Sequence, residues 1–300
     1  MSALGDILDE YLALRRSVGF KLAEASRVLP DFVAFLEGRG ESTITVAAAL
    51  EWAGQHPAPA RIIEPVRVFA RYVQAIDPAT EVPDVALCPR REVRPTPYLF
   101  SEDDIGALMA AARTIEHPLW ARTCETVIGL LWATGMRIGE VLRLERADVS
   151  FETGVLTVWH SKFKKSRHLP VTSCTLTALA DYERDRRAGY PGLATATFFV
   201  TKSGCRLNYP SIYNEFRALL ERTGVGAREG LARPRLHDLR HSFAVRTLLG
   251  WYRSGADVGA LLPRLSTYLG HVDPSTTYWY LSAAPELMAL AAERLEGVGQ

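Results

Sequence analysis

The chain has 300 residues, 48% of them hydrophobic, and a net charge of +1 from 35 basic and 34 acidic side chains. This composition is typical of a folded protein and excludes one that is disordered over most of its length. No run approaches the roughly 18 apolar residues of a membrane span, and the N-terminus lacks a basic stretch followed by an apolar signal core. We therefore expect a cytoplasmic protein of two domains or one large one, with no membrane partner.

Four cysteines are widely spaced along the chain, at positions 88, 124, 174 and 205. None belongs to a C-x-x-C pair, so neither a disulfide framework nor a cysteine zinc site is indicated. We expect buried free thiols.

Residues 1–80 are predicted to form a domain of four helices. Apolar residues recur at helical spacing near residues 4–12, 22–36 and 60–77, and a shorter helix is expected over residues 45–55. Short turns join these segments, which favours a compact bundle.

Residues 81–97 are predicted to be a linker. Five prolines fall between positions 78 and 97, and the helical periodicity stops there. Arg90, Arg91 and Arg94 would suit a phosphate backbone, although a solvated linker explains them equally well.

Residues 98–300 are predicted to form a mainly helical domain with a small β-sheet. Ser101 begins a capping-box-like helix start, and Gly135 is placed to end a strongly apolar helix. Strands are expected over residues 155–159 and 167–171, joined by a basic turn, with a third short strand over residues 197–200.

Basic residues cluster in this second part, which holds 24 lysines and arginines against 21 acidic residues. Four of them lie within six positions, namely Lys162, Lys164, Lys165 and Arg167. A polyanionic partner and an ordinary solvated face remain equal alternatives on this observation alone.

Three separated segments carry residues suited to phosphate chemistry: TGMRIGE at 134–140, HDLRHSFA at 237–244 and LGHVDPSTTYWY at 269–280. Each alone is ordinary, since charged helix starts and aromatic runs are common. Together they give the order Arg137, His237-x-x-Arg240, His271, Tyr280, with Lys162 in the basic turn. This combination resembles the tyrosine recombinase (phage integrase) family, and the resemblance covers nearly the whole chain.

The resemblance implies an enzyme that cleaves and rejoins DNA strands. Tyr280 would be the nucleophile that forms a 3′-phosphotyrosyl link, and Arg137 and Arg240 would hold the phosphate, which two forked cations suit well. The other implied roles are a general acid at Lys162, proton transfer at His237, a phosphate donor at His271, and support of the site by Glu140. No metal and no other cofactor is implied.

The implied partner is double-stranded DNA with inverted-repeat sites. DNA contacts are expected from the linker arginines Arg90, Arg91 and Arg94, and from Lys164, Lys165, Arg167, Arg235 and His241. Four copies of the chain would assemble on two sites, with room for an accessory DNA-binding protein. An amphipathic helix over residues 285–295 would dock on the neighbouring copy, or fold back on its own domain.

Two departures from the family pattern leave alternatives within the site. Phe163 stands where a glycine commonly follows the turn lysine, so Lys164 or Lys165 could take the role of Lys162. Tyr278 is a second candidate nucleophile, although the spacing from His271 favours Tyr280.

Other function classes also remain to be weighed. One is a catalytically silent DNA-binding protein of this fold, and another is a metal-dependent hydrolase, since HDLRH lacks one carboxylate of the H-E-x-x-H pattern. A type IB topoisomerase shares the chemistry. Among recombinases, residues 11–21 and 69–72 are similar to those carried on bacterial transposons, but the sequence does not choose between integration, excision, resolution and transposition.

Overall fold

The structure is a computed structural model that describes residues 3–87, 97–159, 166–193, 195–227 and 233–270. The chain divides into two compact units, Met1–Arg94 and Pro95–Gln300. Each unit has its own hydrophobic core.

The first unit contains the four predicted helices. They are α1 Ala3–Ser17, α2 Ala25–Gly38, α3 Val46–Gly54 and α4 Pro59–Gln74. Thr45 caps α3 by accepting a hydrogen bond from the Ala48 amide at 3.2 Å. Leu29, Phe32, Ile63 and Phe69 are fully buried where α2 and α4 meet, so the apolar stripes read from the sequence form the core.

The start of the predicted linker belongs to this first unit instead. Arg67 is buried, and a buried guanidinium needs acceptors. It donates to the carbonyls of Pro83 at 2.8 Å and Asp84 at 3.2 Å, and residues 85–87 form a short 3-10 helix. Residues 81–87 are therefore tied to the bundle, a correction to a linker that begins at 81. Arg90, Arg91 and Arg94 lie outside the described residues.

The second unit is mainly helical with one small sheet, as predicted. Its helices are α5 Glu102–Arg113, α6 Pro118–Thr134, α7 Ile138–Val141, α8 Ser173–Gly189, α9 Tyr209–Thr223, α10 Asp238–Arg253 and α11 Val258–Leu269. The antiparallel sheet has the order β1 Val149–Ser150, β2 Val155–Val158 and β3 Arg167–Pro170. In its register Val158 pairs with Arg167, so residues 159–166 connect the two strands at this end of the hairpin.

Helix α6 is the centre of the second unit. Cys124, Val127 and Ile128 are fully buried, and α5, α8, α9 and α10 pack around the helix. Such an environment explains the apolar character of α6 on nearly all sides. It also fixes the position of the chain where α6 ends, at Gly135.

Two local predictions were wrong. Residues 197–200 form two isolated bridges, Glu145 with Thr197 and Val200 with Arg206, rather than a strand. Among the described cysteines only Cys124 is buried, whereas Cys174 in the first turn of α8 and Cys205 in a surface turn are exposed.

In the described part of the chain, no helix is both long and apolar enough to cross a bilayer.

Candidate active site

The first predicted site segment is a tight corner between α6 and α7. Gly135 ends α6 in the left-handed conformation, with a φ of 61°, and Arg137 takes the N-cap position of α7. A β-carbon at Gly135 would lie 2.5 Å from a ring carbon of Phe243 in α10. Glycine is therefore required twice here, for its backbone conformation and for the close approach of α10.

We expect Gly135→Ala to lower the free energy of unfolding by about 2–4 kcal/mol, because positive φ costs about 1 kcal/mol and forced overlap with a ring adds about 1–3. Gly224→Ala is the matched control. Gly224 also ends a helix at positive φ, but a β-carbon there would have no neighbour within 4 Å. Urea unfolding should show a clearly larger loss at 135, and equal losses would contradict the packing argument.

Arg240 is held inside the second unit from the first turn of α10. It is 2% exposed, which is rare for an arginine. Its Nη1 donates to the Gly135 carbonyl at 2.8 Å and its Nη2 donates to the Leu269 carbonyl at 2.7 Å. These two bonds fix the plane of the guanidinium.

Arg137 reaches the same end of α11. Its Nη2 donates to the Gly270 carbonyl at 2.9 Å, and its Nη1 makes a long contact of 3.5 Å with the Leu269 carbonyl. The last carbonyls of a helix have no partner within the helix and carry its negative dipole end, which suits cations. The two predicted phosphate-binding arginines thus converge on one helix end, directly before His271.

Glu140 holds Arg137 in this position. Its side chain is 1% exposed. Oε1 accepts from Arg137 Nη1 at 2.9 Å and Oε2 accepts from the Arg137 amide at 3.0 Å. Arg167 adds a two-pronged ion pair to the same carboxylate, at 3.0 and 2.8 Å. One buried carboxylate thus joins Arg137 to Arg167.

Burial alone would raise the pKa of Glu140, but the bonds and charges of Arg167 and Arg137 outweigh it and lower the pKa from 4.5 to about 2. A depressed folded-state pKa stabilises the protein above the unfolded-state value. That stability is lost as the pH falls from about 4.5 toward 2.

We expect Glu140→Gln to lower the free energy of unfolding at pH 7 by about 3 kcal/mol, because each pKa unit corresponds to 1.36 kcal/mol. The difference in free energy of unfolding between this variant and the wild type should become smaller as the pH is lowered from 5 to 3. Urea unfolding at several pH values measures both effects. Glu152→Gln, at an exposed glutamate, is the control. If the free energies of unfolding of the wild type and Glu140→Gln differ by the same amount at every pH, the ion-pair account is contradicted.

The histidine segment begins α10. The rings of His237 and His241 meet edge to face, with centroids 4.7 Å apart. The pKa of His237 is lowered, first because surrounding protein displaces water and then because the Arg240 charge is near. A lowered pKa favours the neutral imidazole at pH 7, which is the form that accepts a proton.

Arg235 and Arg167 were both predicted to contact DNA. Arg235 is half exposed and forms a two-pronged ion pair with the buried Asp238, which fixes the start of α10. Arg167 is 10% exposed and points into the domain, a different place from the DNA-facing one expected. The strand period contained a signal for this, because Arg167 shares the face of the buried Leu169.

Several predicted site residues lie outside the described part of the chain. They are Lys162, Lys164, Lys165, His271, Tyr278 and Tyr280. Among the described residues, no group of three or more His, Cys, Asp or Glu could hold a metal ion.

Known proteins resemble this chain in sequence over most of its length. The sequence model of the phage integrase family matches residues 99–286. A predicted integrase/recombinase of Sinorhizobium fredii, y4rB, is 42% identical, with 99% of this chain and 98% of that protein covered. The tyrosine recombinase XerC of Alcanivorax borkumensis is 28% identical over 73% of this chain and 67% of its own length.

A solved structure has a similar fold. The integrase of transposon Tn1549, in complex with transposon right end DNA, matches with a TM-score of 0.70 over 98% of this chain and 99% of that one, at 15% identity. The family model and the relative of 42% identity define a tyrosine recombinase. The chain belongs to the phage integrase family, and its function is site-specific recombination.

Proposed function

We propose that this recombinase cleaves and rejoins double-stranded DNA through a 3′-phosphotyrosyl intermediate on Tyr280, without a metal ion or ATP. The observation that carries the proposal is the convergence of Arg137 and Arg240 on the carbonyls of Leu269 and Gly270. Two fixed guanidinium groups beside the start of the His271 segment form a preorganised site for a phosphate whose negative charge grows in the transition state.

The remaining residues complete an in-line displacement at phosphorus. The Tyr280 oxygen attacks the phosphorus, the bond to the 5′ oxygen breaks, and Lys162 gives that oxygen its proton. Neutral His237 takes part in removing the tyrosine proton, and His271 donates to a phosphate oxygen. The covalent link retains the energy of the broken phosphodiester bond, so a 5′ hydroxyl from another strand can attack the phosphotyrosine and reverse the step without an energy source.

The charge distribution supports a DNA contact along the basic turn and the linker. Lys164, Lys165 and the linker arginines would neutralise backbone phosphates, and Arg235 and His241 would do so beside the active site. Such contacts make binding strongly dependent on salt. We place the protein in the cytoplasm, associated with the nucleoid when bound.

The test is to trap the covalent intermediate. DNA flanking the gene is searched for inverted repeats that bind the purified protein, and a nicked version of that site is used to prevent rejoining. We expect the adduct to form in the presence of EDTA and without ATP, and to survive denaturation of the protein. Binding without an adduct would indicate a silent DNA-binding protein, and loss of cleavage in EDTA would indicate a metal-dependent hydrolase.

A second assay separates recombination from topoisomerase activity. Two labelled copies of the site on different fragments report strand exchange, whereas a supercoiled plasmid with one site reports relaxation. Exchange between fragments supports the recombinase, while relaxation alone would identify a topoisomerase. The DNA at the exchanged ends would also show whether the element is transposed, integrated or resolved.

Assembly is proposed to involve four copies on two DNA sites, aided in some reactions by an accessory DNA-binding protein. Residues 285–295 carry apolar side chains on one side of a predicted helix, and they lie outside the described part of the chain. Docking of this segment on the next copy would link one active site to another.

Deletion of residues 284–300 is expected to leave half-site binding within about threefold and to abolish cooperative pairing and recombination, because avidity between copies is lost. Gel-shift titrations with half sites and full sites measure both. Leu287→Asp should reproduce the defect and Glu286→Gln should not. An insoluble truncated protein would show that the segment belongs to its own domain.

A further inference from the structure

Arg167 occupies the first position of β3, immediately beyond the turn that carries Lys162. All three of its guanidinium nitrogens donate to protein oxygens. Nη1 and Nη2 bind the two oxygens of Glu140, at 3.0 and 2.8 Å, and Nε binds the Tyr268 carbonyl at 2.8 Å. A planar fork on a carboxylate fixes the orientation of both groups.

The carboxylate of Glu140 is shared between two arginines. Arg137 binds Oε1 through its side chain and Oε2 through its backbone amide, so each carboxylate oxygen accepts from both arginines. The ion pair lies in the interior, where interactions are screened less than at the surface. The Glu140 carboxylate is therefore held from the start of α7 as well as from β3.

The third partner of Arg167 is the last turn of α11. The Tyr268 carbonyl precedes the Leu269 and Gly270 carbonyls that hold Arg240 and Arg137. Gly270 also provides space, because a β-carbon there would lie 2.8 Å from Nη1 of Arg167. One side chain thus joins the β2–β3 hairpin, the α7 start and the α11 end.

We propose that Arg167 is a positioning residue that sets the turn lysine relative to the phosphate-binding arginines. This inference rests on the proposed function, with Lys162 as the general acid. The bonds of Arg137 to Glu140 and Gly270 do not involve Arg167, so we expect them to remain when Arg167 is altered. We therefore expect an alteration of Arg167 to disturb the position of Lys162, and so to slow proton donation to the 5′ oxygen.

The test uses Arg167→Lys, which keeps the charge but cannot bind both oxygens of Glu140 in a fork. Two nicked substrates are compared in single-turnover cleavage. One has the ordinary phosphodiester, and the other has a 5′-bridging sulfur, whose leaving group needs no proton. Lys162→Ala serves as the reference for a lost acid, and Arg184→Lys, at an exposed arginine of α8, is the matched control.

We expect Arg167→Lys to bind the half site within about threefold of the wild type and to cleave the ordinary substrate about 100-fold more slowly, the lower range for a lost general acid. The sulfur substrate should lose less than about tenfold. The ratio of the two rates is taken on one preparation, so it does not depend on the folded fraction.

Equal losses on both substrates would overturn the positioning role, as would an unchanged rate on the ordinary one. The failure of the proposed function has a different signature. In that case the wild type itself forms no covalent adduct with either substrate.

Discussion

Tyr280→Phe is expected to abolish the covalent protein–DNA adduct while leaving binding to the DNA site within a few-fold of the wild type. The change removes one oxygen and keeps the ring, so packing and shape are preserved. Without that oxygen no bond to phosphorus can form. Denaturing gels of the nicked substrate measure the adduct, and gel shifts measure binding.

Tyr278→Phe is the matched control for this prediction. It makes the same chemical change two residues earlier, in the same TTYWY run. It should retain the adduct. An adduct that persists with phenylalanine at 280, or one that disappears only with phenylalanine at 278, would move the nucleophile to Tyr278.

The second large effect is expected from Arg240→Lys. Strand cleavage should slow by about 100- to 1,000-fold, equivalent to about 2.7–4 kcal/mol for one preorganised donor in the transition state. Lysine keeps the charge but cannot bind the carbonyls of Gly135 and Leu269 with one rigid plane. Binding should weaken far less, because it is spread over many phosphate contacts.

Arg253→Lys is the matched control, since Arg253 lies exposed in the last turn of the same helix. Single-turnover cleavage and half-site titration separate the two effects. Equal losses of rate and affinity in Arg240→Lys would reduce Arg240 to a backbone contact. A fall in unfolding stability large enough to deplete the folded protein would be seen in urea unfolding of the same preparation.

Much of the architecture could be predicted because it depends on local patterns. The four helices of the first unit follow from apolar residues at helical spacing, and the end of α6 follows from Gly135. The capping box that begins at Ser101 could also be predicted, and the Ser101 side chain accepts a hydrogen bond from the Asp104 amide. These features involve residues a few positions apart, so the sequence contains the whole interaction.

The candidate site residues could also be named from the sequence, because the order and spacing of Arg137, His237 and Arg240 are properties of the chain. The contacts of a particular charged side chain could not be predicted in this way. Arg167 looked like part of a basic surface cluster, yet it lies against Glu140, 27 positions away, and Tyr268, 101 positions away. Its surroundings depend on how the hairpin packs against α7 and α11.

The sequence by itself determined the family and the mainly helical character of both units. Only the tertiary structure decided that residues 81–87 close on Arg67, that Cys174 and Cys205 face solvent, and that one helix end receives two arginines. The physical reason is that a buried charge must find its acceptors wherever the fold brings them. In this chain those acceptors include backbone carbonyls, which every residue type carries and no sequence motif marks.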